Sequence, residues 1–525
     1  MGVHSLWKYL DHHDVVNVLN DVGEVQHLFF DMNSLLHTSY NRARPTVSAT
    51  LSAVSTLIET ILIKYKPSLT LSFVFDGPGP IAKLRTQRER RKSMLASDHS
   101  LELSPAVIAA GSPFVLSCES MVEDVLLPKL VTGTKSLKLP KGLRINMSKT
   151  SEAGEGELKI VRKLQEIYSE QLADGSYCGK DRIFIFGNDS DLVLCCIATT
   201  MFHNYYVVNP FSLLTVDVGE LMTHWLKNNA NQLLPLNVVA TFRLDFVFIM
   251  LLAGGDYYRG IEGTAVDVWR KYRDARLEGG FYRTSLVIFP ECNLNRDFLL
   301  AILAPDTRTF MRHYTGSKNK MKQVKEQHSN SKASPEKGVH LLHGALWVLA
   351  GIVNGGCVHY GYCPPAASDT MSTTTSHVRA ALKLKASFKP PVATMETGED
   401  GKPLTPHQAF VAVVGHRGYL ESFFRAKCGT EDVLEDALKR LTAIAKTNNP
   451  QTIRELVRTL FQVSVQEDDS AARFSFAIGF SPIVVQYPPG FEVMISRSLF
   501  KSKTQTTHVD VSSNVVVSAQ KDAPP

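Results

Sequence analysis

The chain has 525 residues, with 57 Lys and Arg against 51 Asp and Glu, a formal charge of +6. Its 44% hydrophobic and 21% charged composition is that of an ordinary globular protein and excludes collagen, coiled coil, global disorder and a small disulfide scaffold. At roughly 150 residues per domain the length predicts two to four domains, and the modest positive charge permits a nucleic-acid partner without requiring one.

The opening MGVHSLWKYLDHHD has no basic stretch followed by an apolar one, so no leader peptide is expected. Leu6 stands where a myristoylation signal needs Ser or Thr. No run of eighteen apolar residues occurs; the most apolar stretch, Asp245 to Gly254, is of core-helix length. The expectation is a chain of cytoplasm or nucleus with no membrane partner. None of the eight cysteines forms a CxxC pair, which argues against structural zinc and for free thiols.

Three apolar runs read as buried strands: Val25 to Phe30 before Asp31, Leu71 to Phe75 before Asp76, and Arg182 to Phe186 before Gly187. Helical patterns at Ser52 to Lys64, Ile81 to Leu95 and Glu157 to Gln171 separate them. Strands alternating with helices predict an α/β fold, a mainly parallel twisted sheet flanked by helices. A helix-rich stretch is expected from Phe211 to about Pro305, a flexible basic loop at 316–338, and an apolar helix over Val339 to Val353 with Trp347 in the core. Residues 364–405 read as irregular and 415–463 as helices, with Asn449-Pro450 as a helix start. Residues 472–500 contain strand-like segments, and 501–525 read as a disordered tail. The predicted organisation is an α/β core over 1–265, a mostly helical second region over 266–415 and an α+β extension over 416–500.

Acids gather where parallel strands end. Asp31 and Asp76 follow two of the runs, and Asp189 and Asp191 follow the third in GNDSDLVL. Glu155 and Glu157 open a helix in SEAGEGELKI, and Asp256 follows the apolar helix in AGGDYYRG. Each alone is best read as a helix cap. Together they repel unless a cation neutralises them, and oxygen-only ligands select Mg²⁺ or Mn²⁺. Two such ions, about 4 Å apart, clamp the attacking and leaving oxygens of a phosphodiester. Lys83, Gln87, Arg90 and Arg91 share one helical face, a Lys, an amide and two guanidinium forks suited to a terminal phosphate, whereas Arg85, Arg88 and Lys92 point to the opposite side.

In order along residues 1–415, these segments resemble the XRN-type 5′→3′ exoribonucleases of the PIN-like, flap-endonuclease superfamily. The resemblance is carried by MGVHSLWKYL, FFDMNSLLH, FDGPGPIAKLRTQRERR, EAGEGELKI, GNDSDLVL, DFVFIMLLAGGD, LLHGALWVLAGIVNGG and GKPLTPHQAFVAVV. It implies that Asp31, Asp76, Glu155, Glu157, Asp189, Asp191 and Asp256 are catalytic metal ligands, and that Lys83, Gln87, Arg90 and Arg91 hold a 5′-monophosphate. It further implies that His37 stacks on a base, with Tyr360 or Tyr362 replacing the family's tryptophan in the shortened HYGYCPPAASD. The implied partner is single-stranded RNA with a 5′-monophosphate, the cofactor two Mg²⁺ or Mn²⁺ ions, and the product nucleoside 5′-monophosphates. GGDYYRGIEG departs from the XRN pattern toward a flap-endonuclease turn, so a structure-specific DNA nuclease is the alternative, with a catalytically silent scaffold behind it.

Overall fold

Aromatic and branched residues fill both faces of the central strands, as expected of parallel strands covered by helices on either side. A computed structural model describes residues 16–222 apart from 20, 42, 44 and 98–102; 236–304 apart from 259, 262–264, 279, 282–283 and 290; 333–464 apart from 365–373, 385–386 and 395–400; Leu6 and Leu10; and four strands beyond residue 464. The chain divides into two units that interleave along the sequence: residues 16–219, 354–363 and 393–525 in one, and 1–15, 220–353 and 364–392 in the other.

The first of these is built on a sheet of nine strands: β1 (Val16–Val18), β2 (Val25–Asp31), β3 (Pro67–Val74), β4 (Arg144–Ser148), β5 (Arg182–Phe186), β6 (Asn204–Val208), β7 (Leu214–Asp217), β8 (Pro482–Gln486) and β9 (Glu492–Ser496). Their spatial order is β1-β7-β6-β5-β2-β3-β4-β9-β8. The run from β6 to β9 is parallel, with antiparallel strands at both edges. In register, Phe30 lies between Phe73 and Phe186, its ring 5.5 Å from each. The helix α1 (Met32–Ser39) follows β2 directly, and α2 (Val47–Lys64) packs Val54, Ile58, Ile61 and Leu62 into the core beneath the sheet. Among the described residues α2 is the one helix long and apolar enough to cross a membrane, yet that buried stripe belongs to the core. The helices α3 (Leu84–Ser97), α4 (Gly156–Asp174) and α5 (Ser190–Ala198) each begin beyond a strand's carboxyl end.

After β3 and β4 the chain returns to the other side of β2 to lay down β5. The crevice at such a reversal is where α/β sheets bind ligands. The C-terminal part of this unit adds α6 (Pro406–Val414), α7 (Arg417–Lys427), α8 (Glu431–Lys446) and α9 (Pro450–Ser464). Asn449 caps α9 from the position expected, accepting from the Gln451 and Thr452 amides at 3.0 and 3.1 Å.

The other unit holds the helices Leu236–Leu252, Ala265–Glu278, Arg296–Ile302, Pro335–Asn354 and Thr374–Leu384. Its core includes Trp347, 3% exposed and edge-on to Tyr257.

Several expectations change. The stretch from Phe211 contains β7 and a two-stranded pair, Val287–Ile288 with Asn293–Leu294, beside its helices. Within the basic loop, 316–332 lie outside the described residues, but Pro335, favoured in a helix's first turn, already opens a helix. The helix Thr374–Leu384 occupies the stretch read as irregular, because Val378, Ala381 and Leu382 give it a buried face. The segment 472–481 lies outside the described residues. Strands at Gln505–Asp510 and Val516–Lys521 pair antiparallel within the tail expected to be disordered; alternation of Val, Thr and Ser supports them.

Candidate active site

Asp31 ends β2 and caps α1, accepting from the Ser34 amide at 3.1 Å. Asp189 caps α5 through the Asp191 amide at 3.2 Å. Both therefore play the capping role that strand-to-helix acids commonly play, Asp31 at the end of β2 and Asp189 just past the end of the neighbouring β5.

Asp76 is held from three sides. Its amide donates to Asn33 Oδ1 at 3.0 Å, its carbonyl accepts from Thr150 Oγ1 at 2.7 Å, and its Oδ1 accepts from the Gly156 amide at 2.7 Å. The loop Gly77–Pro80 is stitched to residues 152–156 by backbone bonds between Gly77 and Gly154 and between Gly154 and Pro78, 2.8 and 3.0 Å. A Cβ at Gly77 would run into the Glu152 carbonyl, so this approach requires glycine. Buried Lys159 reinforces it, donating to the carbonyls of Phe75 and Lys149, both at 2.8 Å.

Electrostatics bind the acids into one cluster. Burial, then the Asp76 carboxylate, push the Asp31 carboxyl up to about 8; Asp189 adds to the effect. Burial raises Asp76 as well, opposed by Lys83 and the Gly156 amide. Glu157 is driven well up by burial, then by Glu155, with Asp76 and Asp189 contributing. Lys83 answers this charge, its Nζ 2.7 Å from Glu155 Oε1 and 4.0 Å from Glu157 Oε1. Arg91, 9% exposed, donates Nη2 to the Ile108 carbonyl at 2.9 Å, while its Nε has no hydrogen-bond partner among the described residues. Its charge is felt at Asp76 and at His37, whose imidazole is lowered by surrounding protein and then by Arg91 although the residue is exposed.

The structure thus brings together Asp31, Asp76, Glu155, Glu157 and Asp189, and sets Lys83 and Arg91 beside them. Asp191 follows Asp189 in the first turn of α5. Gln87 and Arg90 are partly exposed on α3. Asp256 belongs to the other unit, on the turn after Leu236–Leu252, where Gly254 has φ +97°.

Tyr360 departs from its implied stacking role. It is 7% exposed, its carbonyl accepts from the Ile81 amide at 3.0 Å, and its hydroxyl lies 3.5 Å from where a Cβ on Gly154 would stand. So buried a ring has no open face for a base. Tyr362 is partly exposed. Asn33, Thr150 and Lys159 escaped the sequence reading. The signal available was their place within or just before the acid motifs: DMN, EGELK, and SKT ahead of SEAGEGELKI.

Among the described residues no three His, Cys, Asp or Glu side chains already stand as a closed metal cage. The donor set still fits a hard divalent cation. The ligands are all carboxylate oxygen, and crowding disfavours their charge. A Cβ on Gly156 would lie 3.0 Å from Asp76 Oδ1 and 3.8 Å from Asp31 Oδ1, so both carboxylates border a space that glycine leaves open.

Residues 1–208 match the family model described as the XRN 5′-3′ exonuclease N-terminus. Over that segment the chain is similar to the XRN-type nucleases. It is 29% identical over 206 residues to the 5′-3′ exoribonuclease 2 of Kluyveromyces lactis, covering 34% of this chain and 20% of that protein. The 5′-3′ exoribonuclease 2 of Saccharomyces cerevisiae is 28% identical over 211 residues, covering 34% and 20%. The 5′-3′ exoribonuclease 1 of the same yeast is 23% identical over 225 residues, covering 38% and 14%. The chain spans about a fifth or less of the length of these relatives. Among solved structures, the catalytic core of Rad2 in complex with DNA substrate aligns with 54% of this chain and 76% of its own, at 15% identity and a TM-score of 0.31.

Proposed function

We propose that this chain is a divalent-metal-dependent 5′→3′ exoribonuclease that hydrolyses 5′-monophosphorylated RNA to nucleoside 5′-monophosphates. One observation carries the reading: Lys83, in the 3₁₀ turn Ile81–Lys83 that leads into α3, lies 2.7 Å from Glu155 of the acidic cluster. A phosphate held on the basic face of α3 delivers the adjoining phosphodiester to the carboxylates. The relatives' names, 5′-3′ exoribonuclease 1 and 2, point to RNA and to this polarity.

Asp31, Asp76, Glu155, Glu157, Asp189 and Asp191 would hold the metal, Mg²⁺ or Mn²⁺ and two ions by the family's pattern. When bound, it supplies an activated water and charge stabilisation for the leaving 3′-oxygen. The chain's own residues do the selecting. Lys83, Gln87, Arg90 and Arg91 grip the terminal phosphate by charge-assisted hydrogen bonds, with Arg91 contributing the buried, unpartnered Nε. The neutral His37 imidazole offers its face to the terminal base. A 5′-hydroxyl end forgoes the phosphate bonds. Cytoplasm or nucleus is the proposed setting.

The test is purified protein with Mg²⁺ and three substrates: 5′-phosphate RNA, 5′-hydroxyl RNA and flapped DNA. Mononucleotides released stepwise from the first, much more slowly from the second, support the reading. Internal cutting of flapped DNA in preference to either RNA would replace it with the flap-type alternative, and no cutting with any metal would favour a scaffold.

A further inference from the structure

Arg88 lies roughly 120° around α3 from the centre of the phosphate-facing residues. It is not a solvated arginine, being 3% exposed. Its Nη1 donates to the Ala412 carbonyl at 2.7 Å, and its Nη2 to the carbonyls of Ile444 at 2.8 Å and Thr447 at 3.3 Å. Ala412 is in the last turn of α6, and Ile444 and Thr447 close α8. These are carbonyls that a helix end leaves without an intrahelical donor, at the negative end of each helix dipole. One planar guanidinium fork serves both ends, which the point charge of lysine cannot do.

The fit is close on the other side too. Gly415 ends α6 at φ +58°, and a Cβ there would collide with the Arg88 guanidinium. Around this polar pin, Ile81 and Leu84 at the entry to the basic helix belong to one apolar cluster with Phe410, Leu438, Leu441 and Leu460. The segment carrying the phosphate ligands is therefore seated on residues more than 300 positions later in the chain, beyond the 1–208 matched to the nuclease family.

We propose that Arg88 is a positioning residue for 5′-end recognition, and that the helical layer α6–α9 is part of the substrate-selecting machinery. By docking α3 on the carboxyl ends of α6 and α8, Arg88 fixes the position and roll of the helix, and so the placing of Lys83, Gln87, Arg90 and Arg91 relative to the acids. Hydrogen bonds to a phosphate weaken steeply with misalignment, so a small roll of α3 is felt there first. The inference rests on the 5′-phosphate reading given above.

The experiment compares wild type, Arg88→Lys and Gly415→Ala, each verified as folded by circular dichroism and thermal unfolding, on 5′-phosphate and 5′-hydroxyl RNA with Mg²⁺. Arg88→Lys keeps the charge and loses the fork; Gly415→Ala keeps Arg88 and displaces it. Both should raise KM for 5′-phosphate RNA about tenfold, the worth of one charge-assisted contact, with kcat within about twofold and KM for 5′-hydroxyl RNA unmoved. Binding of a nucleoside 5′-monophosphate, measured by calorimetry, should weaken in parallel. Folded variants that keep the wild-type preference, or lose activity on both ends equally, overturn the proposal. Failure of both to fold makes Arg88 a folding determinant and overturns it as well. A wild type that cuts both ends equally removes the phosphate-pocket reading itself, before any variant is tried.

Discussion

Two fully or nearly buried aspartates, one in each unit, have opposite surroundings. Asp245, 0% exposed, receives Tyr272 Oη at 2.8 Å, Arg276 Nη1 at 3.2 Å, and the amides of Leu286 and Val287 at 3.0 and 2.9 Å. Asp31, 9% exposed, faces Asp76 and Asp189 and has its Ser34 cap as support. Burial raises both carboxyls, Asp245 to about 6 against the pull of its donors, Asp31 to about 8 with its neighbours pushing the same way. A carboxylate surrounded by donors is structural; one surrounded by carboxylates is kept for something that arrives from outside.

The sharpest way to break the comparison is to neutralise each side. Asp189→Ala should remove hydrolysis, with a rate loss of about 10³-fold or more, and leave the metal-free protein at least as stable as wild type. Asp245→Ala should do the reverse, destabilising by about 3–5 kcal/mol because Arg276 is left buried and uncompensated. Denaturant melts and single-turnover rates on both variants check the pair; near-full activity in Asp189→Ala would place the metal site elsewhere.

A smaller effect separates the two halves of the site. Arg90→Ala should slow 5′-phosphate RNA by roughly tenfold or more, and 5′-hydroxyl RNA much less, since a charge-assisted bond contributes ~1.5–3 kcal/mol. Equal slowing on both ends would reassign Arg90 to general backbone binding.

Smaller again is a pH effect of defined sign. A carboxyl raised in the folded state stabilises most below its unfolded value, and that contribution is lost as pH rises through the folded one. In chelator, therefore, Tm should fall as pH climbs from about 4 through about 8, the span from an ordinary carboxyl to Asp31. Mg²⁺ should restore a few degrees at the upper end and little at the lower. A Mg²⁺ increment independent of pH would mean that these acids do not hold it. Least of all, deleting residues 316–332 should leave turnover of short RNA within about twofold at saturation, because its lysines offer only screened, long-range attraction. A folded deletion variant without turnover would put that segment in the site.

Much of this was readable in the chain itself. β2 and β3 announce themselves as apolar runs followed by an acid and β5 as one followed by a glycine turn, and the helical period separates Arg91 from Arg88. Other elements carry weaker signals. β4, RINMS, is too short and polar to stand out, and β6, NYYVV, ends on Asn209-Pro210 with no trailing acid. What covers a helix's far face is a non-local fact: nothing near residue 88 says that Ala412 and Ile444 will meet it. Tyr360 misleads for the same reason, since an aromatic in a loop reads alike whether it faces a ligand or seals the back of one.

The seating of α3 has a consequence for biogenesis. Ile81 and Leu84 find their partners between Leu404 and Phe461, more than 300 residues downstream. At ribosomal speeds of about 5–20 residues per second, that gap lasts on the order of 15–65 s. Throughout it the nascent chain has an apolar seam without its cover, and α3 without its seat. Burial of this segment is thereby deferred until residues 404–461 have been made, which makes it a natural client for chaperones.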